Sequence, residues 1–161
     1  MSLAAEAPRA GKLKHWTVYF VLWCRMAFGL HAFISGLNYF VPLFALSGGP
    51  GPSPIGEFQS AMTDIGMYGL IKAIEMVVGA FLLANRLVPL MALIEMPITI
   101  AIAYLCFVVD RSPNIMFSGA REVFFNSVLL AAYADYFLPL FAWRARYSPI
   151  WDRKAGGGGG A

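Results

Sequence analysis

Residues 66–109 read GMYGLIKAIEMVVGAFLLANRLVPLMALIEMPITIAIAYLCFVV, two long apolar runs separated by the pair Asn85-Arg86. A helix rises about 1.5 Å per residue and the hydrocarbon core of a bilayer is about 30 Å thick, so about 20 apolar residues can span it. We therefore predict transmembrane helices at about residues 66–84 and 87–109. Because the break between them is so short, the two helices are expected to form an antiparallel hairpin.

The rest of the chain has two further apolar runs, at about residues 16–41 and 122–143. Of its 161 residues, 59% are hydrophobic and 13% are charged, which is more apolar surface than a soluble domain of this length can bury. We predict an all-α polytopic membrane protein, an antiparallel four-transmembrane-helix bundle over residues 16–143. A disordered N-terminus (residues 1–15) and a flexible tail (residues 144–161) would flank it, and we expect no nucleic-acid partner.

The positive charges are unevenly distributed between the two sides of these runs. Residues 42–65 contain no Lys or Arg, and the loop before the fourth run has two, Arg111 and Arg121. By the positive-inside rule, the N-terminus, the middle turn and the C-terminus are therefore expected in the cytoplasm. In the outer segment, residues 57–64 are expected to form a short surface helix. The eight cations on the cytoplasmic side are Arg9, Lys12, Lys14, Arg86, Arg144, Arg146, Arg153 and Lys154.

Polar side chains inside the apolar runs are the candidates for a functional site. A charge in mid-bilayer costs a few kcal/mol, on the order of 3, and so normally faces a partner or a cavity. Counting along each run places one ionisable residue of every helix at a similar depth, with further polar residues nearer the outer face. The candidates for a polar interior or ligand-binding site are Arg25, His31, Asn38, Lys72, Glu75, Glu95 and Asp135.

Three interpretations of this polar set are open. A buried pair between Arg25 and Glu75 would hold the helices together and have no other role. The set would otherwise form a site for a ligand such as a quinone, or a path for protons or ions. Carboxylates outnumber fixed cations by one, which would suit proton-coupled chemistry. The sequence shows no metal-ligand spacing, so we predict no metal site.

Small residues are expected to set the packing of the first two helices. Gly29 and Gly36 lie seven residues apart in the first run, and Gly79 follows Glu75 by four in the second. Small residues on facing helices let their backbones approach closely in a membrane. We therefore predict that these three glycines are helix-packing positions.

Two of the stretches discussed above resemble the DoxX-like family of small four-helix integral membrane proteins. They are residues 25–40, RMAFGLHAFISGLNYF, and residues 71–90, IKAIEMVVGAFLLANRLVPL. The resemblance implies a four-helix bundle in a bacterial inner (plasma) membrane, often an accessory subunit of a redox system linked to quinone. The residues that carry the resemblance are Arg25, Gly29, Gly36, Glu75, Gly79, Leu82, Leu83, Arg86, Val88, Pro89 and Leu90.

The resulting hypothesis is an accessory or structural membrane subunit of a redox or energy-conversion complex, with quinone or lipid bound in the polar interior. It would contact other membrane subunits and the bilayer and would not be catalytic by itself. His31 alone cannot supply the two axial ligands of a membrane b-type haem. The alternative is a quinone-coupled oxidoreductase component, with Arg25 and His31 on the quinone and Glu75, Glu95 or Asp135 relaying protons. A small transporter is the second alternative.

Overall fold

The structure, a computed structural model, describes residues 15–43 and 53–141. Within these ranges all regular structure is helical and there is no strand. The predicted N-terminal and C-terminal segments, residues 1–15 and 144–161, lie outside the described residues except for His15, which begins the first helix. The α-helices are α1 (His15–Phe40), α2 (Pro54–Asp64), α3 (Met67–Leu83), α4 (Val88–Tyr104) and α5 (Pro113–Ala132), with a π-helical segment (Leu105–Asp110) after α4 and 3-10 turns (Ala134–Tyr136, Leu138–Phe141) after α5.

Three stretches of the described chain are long and apolar enough to cross a membrane. They are Trp16–Phe40, Val88–Asp110 and Pro113–Ala132. A fourth is made of α2 and α3, which meet at a bend of 92° and form a broken span or a re-entrant loop. The prediction of an all-helical chain with long apolar helices that can span a membrane is confirmed.

The helix predicted within the outer segment is present as α2. Ser53 precedes it and accepts a hydrogen bond at Oγ from the backbone N–H of Gly56, at 3.1 Å. Pro54 occupies the first turn, where its missing N–H costs nothing. Gly66, in the left-handed conformation with φ +76°, separates α2 from α3 and permits the sharp bend.

The fourth long helix lies earlier in the chain than predicted. It runs from Pro113 to Ala132, whereas the apolar run predicted a span at about residues 122–143. Arg111 adopts the left-handed conformation and ends the preceding helix. Oδ1 of Asp110 then accepts a hydrogen bond from the backbone N–H of Ser112 at 3.1 Å, and Pro113 starts α5. These local start signals set the boundary, although Asn114, Ser118, Arg121 and Glu122 interrupt the apolar character of the first half of the helix.

This shift changes the position of three charged residues. Arg121 and Glu122 lie in the middle of α5, so Arg121 is not in an external loop as the charge count assumed. Asp135 lies beyond the end of α5, in a 3-10 turn, and its side chain is exposed. The prediction that Asp135 contributes to a polar interior was therefore wrong.

The helices α1 and α3 approach each other closely at the three predicted glycines. A Cβ atom added to Gly36 would lie 2.5 Å from the carbonyl oxygen of Lys72, and one added to Gly29 would lie 3.0 Å from Cβ of Leu82. A Cβ atom on Gly79 would collide with the backbone of Phe33. The absence of side chains at these positions is therefore what allows α1 and α3 to form the largest helix interface in the described chain.

The buried apolar core lies towards the end of the molecule that holds the turn between α3 and α4. At that turn Asn85 and Leu87 both adopt the left-handed conformation. The other end, where α2 lies, is occupied by polar side chains and a cavity. The molecule thus has an apolar half and a polar half along its helices. The core residues are Cys24, Phe28, Val78, Leu82, Val88, Met91, Ala92, Phe125 and Leu129.

Candidate functional site

A cavity of about 260 Å³ lies in the polar half of the molecule, between α1, α3, α4 and α5. Ile55 and Gln59 of α2 also line it, so α2 covers part of one end of the cavity. Apolar side chains, among them Ile102 and Leu105, form the rest of the wall. The ionisable groups on the wall, apart from the thiol of Cys106, are His31, Lys72, Glu75, Glu95, Arg121 and Glu122.

The first polar cluster joins α1 to α3. Nζ of Lys72 donates hydrogen bonds to Oε2 of Glu75 at 2.6 Å and to Oγ of Ser35 at 2.9 Å. Ser35 in turn donates from Oγ to the same carboxylate oxygen at 3.0 Å. Lys72 and Glu75 are three residues apart on one face of α3, and their side chains are largely buried. This carboxylate therefore has both a charged and a neutral donor.

The second cluster joins α1 to α5. Nε2 of His31 lies 2.9 Å from Oε1 of Glu122 and 2.8 Å from Nη2 of Arg121. The guanidinium of Arg121 donates to the same oxygen of Glu122 at 2.9 Å. His31 is part-exposed, whereas Glu122 is buried, and both residues line the cavity.

One face of α1 connects these two clusters, because His31 and Ser35 are four residues apart in a helix. Glu95 of α4 contributes a third carboxylate to the wall, and it is only 3% exposed. Among the side chains that the structure describes, none donates a hydrogen bond to its Oε2 atom. Glu75 and Glu122 line the same cavity as Glu95.

The structure places four of the seven predicted site residues on the wall of the cavity: His31, Lys72, Glu75 and Glu95. Arg25 is buried elsewhere and donates a hydrogen bond from Nη1 to Oδ1 of Asn85, at the turn between α3 and α4.

The pair between Arg25 and Glu75, which one of the three interpretations assumed, is not formed, since Lys72 is the cation that contacts Glu75. The reason is local, because Lys72 shares a helix face with Glu75. Asn38 is half-buried on α1 and is not part of the wall, and Asp135 lies outside the long helices.

The prediction from sequence missed two wall residues, Arg121 and Glu122. They were placed at or before the start of the fourth helix because the apolar run begins after them. The signal that could have located them is the sequence Asp110-Arg-Ser-Pro113, which combines a turn-forming Asp with a Pro suited to the first turn of a helix. A helix starting there puts both residues in mid-helix.

The charge count on the wall equals that of the predicted set, although two members differ. Among the described residues that line the cavity there are three carboxylates, two fixed cations and one histidine. Arg121 and Glu122 take the places that the sequence analysis gave to Arg25 and Asp135. The carboxylates therefore still outnumber the fixed cations by one.

A separate polar contact links α4 to α5 beside the cavity. Asn126 is 2% exposed, and its amide lies 2.9 Å from Oγ1 of Thr99. With the amide turned over, its nitrogen also donates to the carbonyl oxygen of Ala92 at 3.0 Å. Pro97, in the same helix, lacks the N–H that would pair with the carbonyl oxygen of Leu93.

Within residues 15–43 and 53–141, no group of three or more His, Cys, Asp or Glu side chains is arranged to hold a metal ion. Cys24 and Cys106 are both buried free thiols. In comparisons with known proteins, the chain matches no family model, no curated protein and no solved structure.

Proposed function

We propose that this chain is an integral membrane protein that binds the polar head of a small amphiphile, a quinone or a lipid, in the cavity between its helices. The observation that carries the proposal is that six ionisable side chains from four helices line one cavity. Charged groups inside a membrane are expensive, and they normally mark a site or a pathway rather than a packing contact.

The size of the cavity fits a head group better than a whole ligand. Pockets for drug-sized molecules measure about 300–1,000 Å³, and this cavity of about 260 Å³ falls just below that range. Lys72 and His31 carry donors that suit a carbonyl or phosphate oxygen, and the carboxylates can accept from a hydroxyl or an amine. The apolar wall residues Ile102 and Leu105 would contact the carbon skeleton.

The exposed surface of the long helices supports a membrane location for this site. Large apolar side chains are exposed along them, for example Trp16, Leu70, Ile100 and Phe117. We propose an antiparallel four-helix arrangement in a bacterial inner membrane, with both ends cytoplasmic and α2 at the outer face. The cavity would then lie in the outer half of the bilayer, under α2.

We also propose that the chain is an accessory subunit of a membrane redox or energy-conversion complex, as the resemblance to the DoxX-like family implies. The exposed ring of Phe20 stacks on Trp23 of α1 and packs edge to face against Phe124 of α5, and a neighbouring subunit or lipid would lie on this side. The binding site and the outer surface would then have separate roles.

The experiment is purification from native membranes in mild detergent, followed by mass spectrometry of bound small molecules and co-purifying subunits. We expect a quinone or phospholipid with the wild-type chain and a clear loss of it in Glu75→Gln. Glu57→Gln is the matched control, because Glu57 lies exposed on α2 and away from the wall. Equal retention in all three proteins, with equal amounts of folded protein, would contradict the proposal.

A second candidate is a quinone-coupled oxidoreductase component, favoured by the contact between His31 and Glu122. Reduction of a quinone to a quinol takes two electrons and two protons. His31 and Glu122 would deliver the protons, and a partner redox subunit would deliver the electrons. Arg25 has no part in this version, since it lies outside the cavity. Loss of turnover in His31→Gln with retained quinone binding would separate this candidate from simple binding.

A further inference from the structure

We infer that the head group bound in this cavity carries a positively charged hydrogen-bond donor, an ammonium group, and that Glu95 receives it. The inference rests on the proposed function, because it names the chemistry of the ligand for the same cavity. The ammonium is a primary one, and it belongs either to a lipid head group of the ethanolamine type or to a free amine.

The first step is the pairing of charges on the wall. Lys72 donates to Glu75 at 2.6 Å, and Arg121 donates to Glu122 at 2.9 Å. Each fixed cation that lines the cavity in the described chain is thus already bound to a carboxylate. Glu95 is the carboxylate that remains without a cationic partner among the described residues.

The second step is the state of the Glu95 side chain itself. It is only 3% exposed, and its Oε2 atom accepts no hydrogen bond from the described residues. A buried acceptor that has lost its water and gained no partner is costly, and a charged one more so. Glu95 also lines the cavity, so a cation bound there would lie beside this carboxylate and balance its charge.

The third step is the field around this carboxylate. Glu75 and Glu122 line the same cavity as Glu95, but each of them is already paired with a cation. At Glu95 itself, an anionic group would be repelled by the carboxylate, and a neutral carbonyl would offer it no donor. An ammonium supplies three N–H donors and the compensating charge together.

The shape of the cavity suits such a ligand. Its volume of about 260 Å³ holds an ammonium with a short carbon chain, and Ile55, Ile102 and Leu105 provide apolar contacts for that chain. A protonated Glu95 is the competing arrangement. In that case the wall carries no surplus charge, and Gln in place of Glu95 would behave like the wild type.

The test uses the whole chain purified in detergent and three probes of similar size: n-butylammonium chloride, n-butanol and sodium butyrate. Binding is measured by isothermal titration calorimetry at constant ionic strength. We expect saturable binding of butylammonium alone, weakened by about tenfold or more in Glu95→Gln and unchanged in Glu57→Gln. Preference for butylammonium in the wild-type chain is itself a test, so the proposal does not depend on the folding of a variant.

Competition with lipids distinguishes the two sources of the ammonium. Displacement of butylammonium by phosphatidylethanolamine but not by phosphatidylglycerol would assign a lipid head group, whereas failure of both to compete would assign a free amine. The inference is overturned if butylammonium binds no better than butanol, or if Glu95→Gln binds it as well as the wild type. Retention of quinone or phosphatidylglycerol in the same samples would then leave the proposed function standing, and absence of every ligand would remove both.

Discussion

Nε2 of His31 lies 2.9 Å from Oε1 of Glu122, a contact that joins α1 to α5 at the wall of the cavity. The same nitrogen lies 2.8 Å from Nη2 of Arg121, which is always a donor. One imidazole nitrogen cannot accept from Arg121 and donate to Glu122 at the same time. The position of the imidazole proton therefore decides which of the two neighbours His31 binds.

The first prediction concerns the charge of Glu122. Glu122→Gln removes the anion from a buried cluster and leaves the guanidinium of Arg121 without its carboxylate. Because Arg121 is about one-third exposed, water offsets part of the loss, and we expect a decrease of about 1–3 kcal/mol in the free energy of unfolding. Unfolding by sodium dodecyl sulfate in mixed micelles measures it. A value within about 0.5 kcal/mol of wild type, as expected for the exposed control Glu57→Gln, would contradict this role.

A second prediction concerns the interface between α1 and α3. Gly36→Ala places a Cβ atom against the backbone of α3, so the packed helices must shift. We expect this shift to lower the free energy of unfolding by about 1–3 kcal/mol. Gly69→Ala is the matched control, because its Cβ atom would meet only the Tyr39 ring at 3.4 Å, an ordinary contact. We expect the control to be neutral or slightly stabilising, as Ala favours a helix over Gly. Equal effects of the two variants would rule out a special role for Gly36.

The third prediction concerns the polar contact between α4 and α5. Asn126→Leu replaces the amide with an apolar side chain of similar size and so removes the contact with Thr99. Polar contacts between membrane helices contribute about 0.6 kcal/mol on average and at most about 1.7 kcal/mol. We therefore expect the free energy of unfolding to fall by an amount in that range. Asn114→Leu, at an exposed position of the same helix, should change the unfolding free energy little. Double substitution of Asn126 and Thr99 should cost no more than the larger single change if the two residues act as a pair.

A fourth prediction tests the orientation in the membrane. In a variant whose native cysteines are replaced by Ala, Glu57→Cys should react with a membrane-impermeant maleimide in intact cells, since α2 is placed outside. Arg86→Cys, in the turn between α3 and α4, should react only after the membrane is permeabilised. The opposite pattern would invert the topology and place the covered end of the cavity towards the cytoplasm.

Hydropathy located three of the long helices well. The predicted runs at residues 16–41, 66–84 and 87–109 differ by one or two residues from α1, α3 and the stretch Val88–Asp110. In these segments apolar character and helix length coincide, because turn residues such as Asn85 interrupt the apolar runs where the helices end. The sharp bend between α2 and α3 could not be predicted in this way, since hydropathy carries no information on direction.

The candidate site was predicted less completely, for two physical reasons. Arg121 and Glu122 interrupt the apolar character of α5, so a prediction based on hydropathy starts that helix too late. Hydropathy also does not show which cation contacts Glu75. Lys72 lies three residues before Glu75 on the same face of α3, whereas Arg25 lies on a different helix, α1. Residues on α1 and α3 were found because their spacing of three and four already places them on one helix face.

The most direct test of the central claim is native mass spectrometry of the chain released from its own membranes, compared with the variant Ser118→Trp. Ser118 lines the cavity, and an indole there would fill it without removing a charge. We expect one bound small molecule on the wild-type chain and its loss from a folded Ser118→Trp variant. A wild-type chain that carries no ligand, or a variant that keeps the same ligand, would contradict a binding function for this cavity.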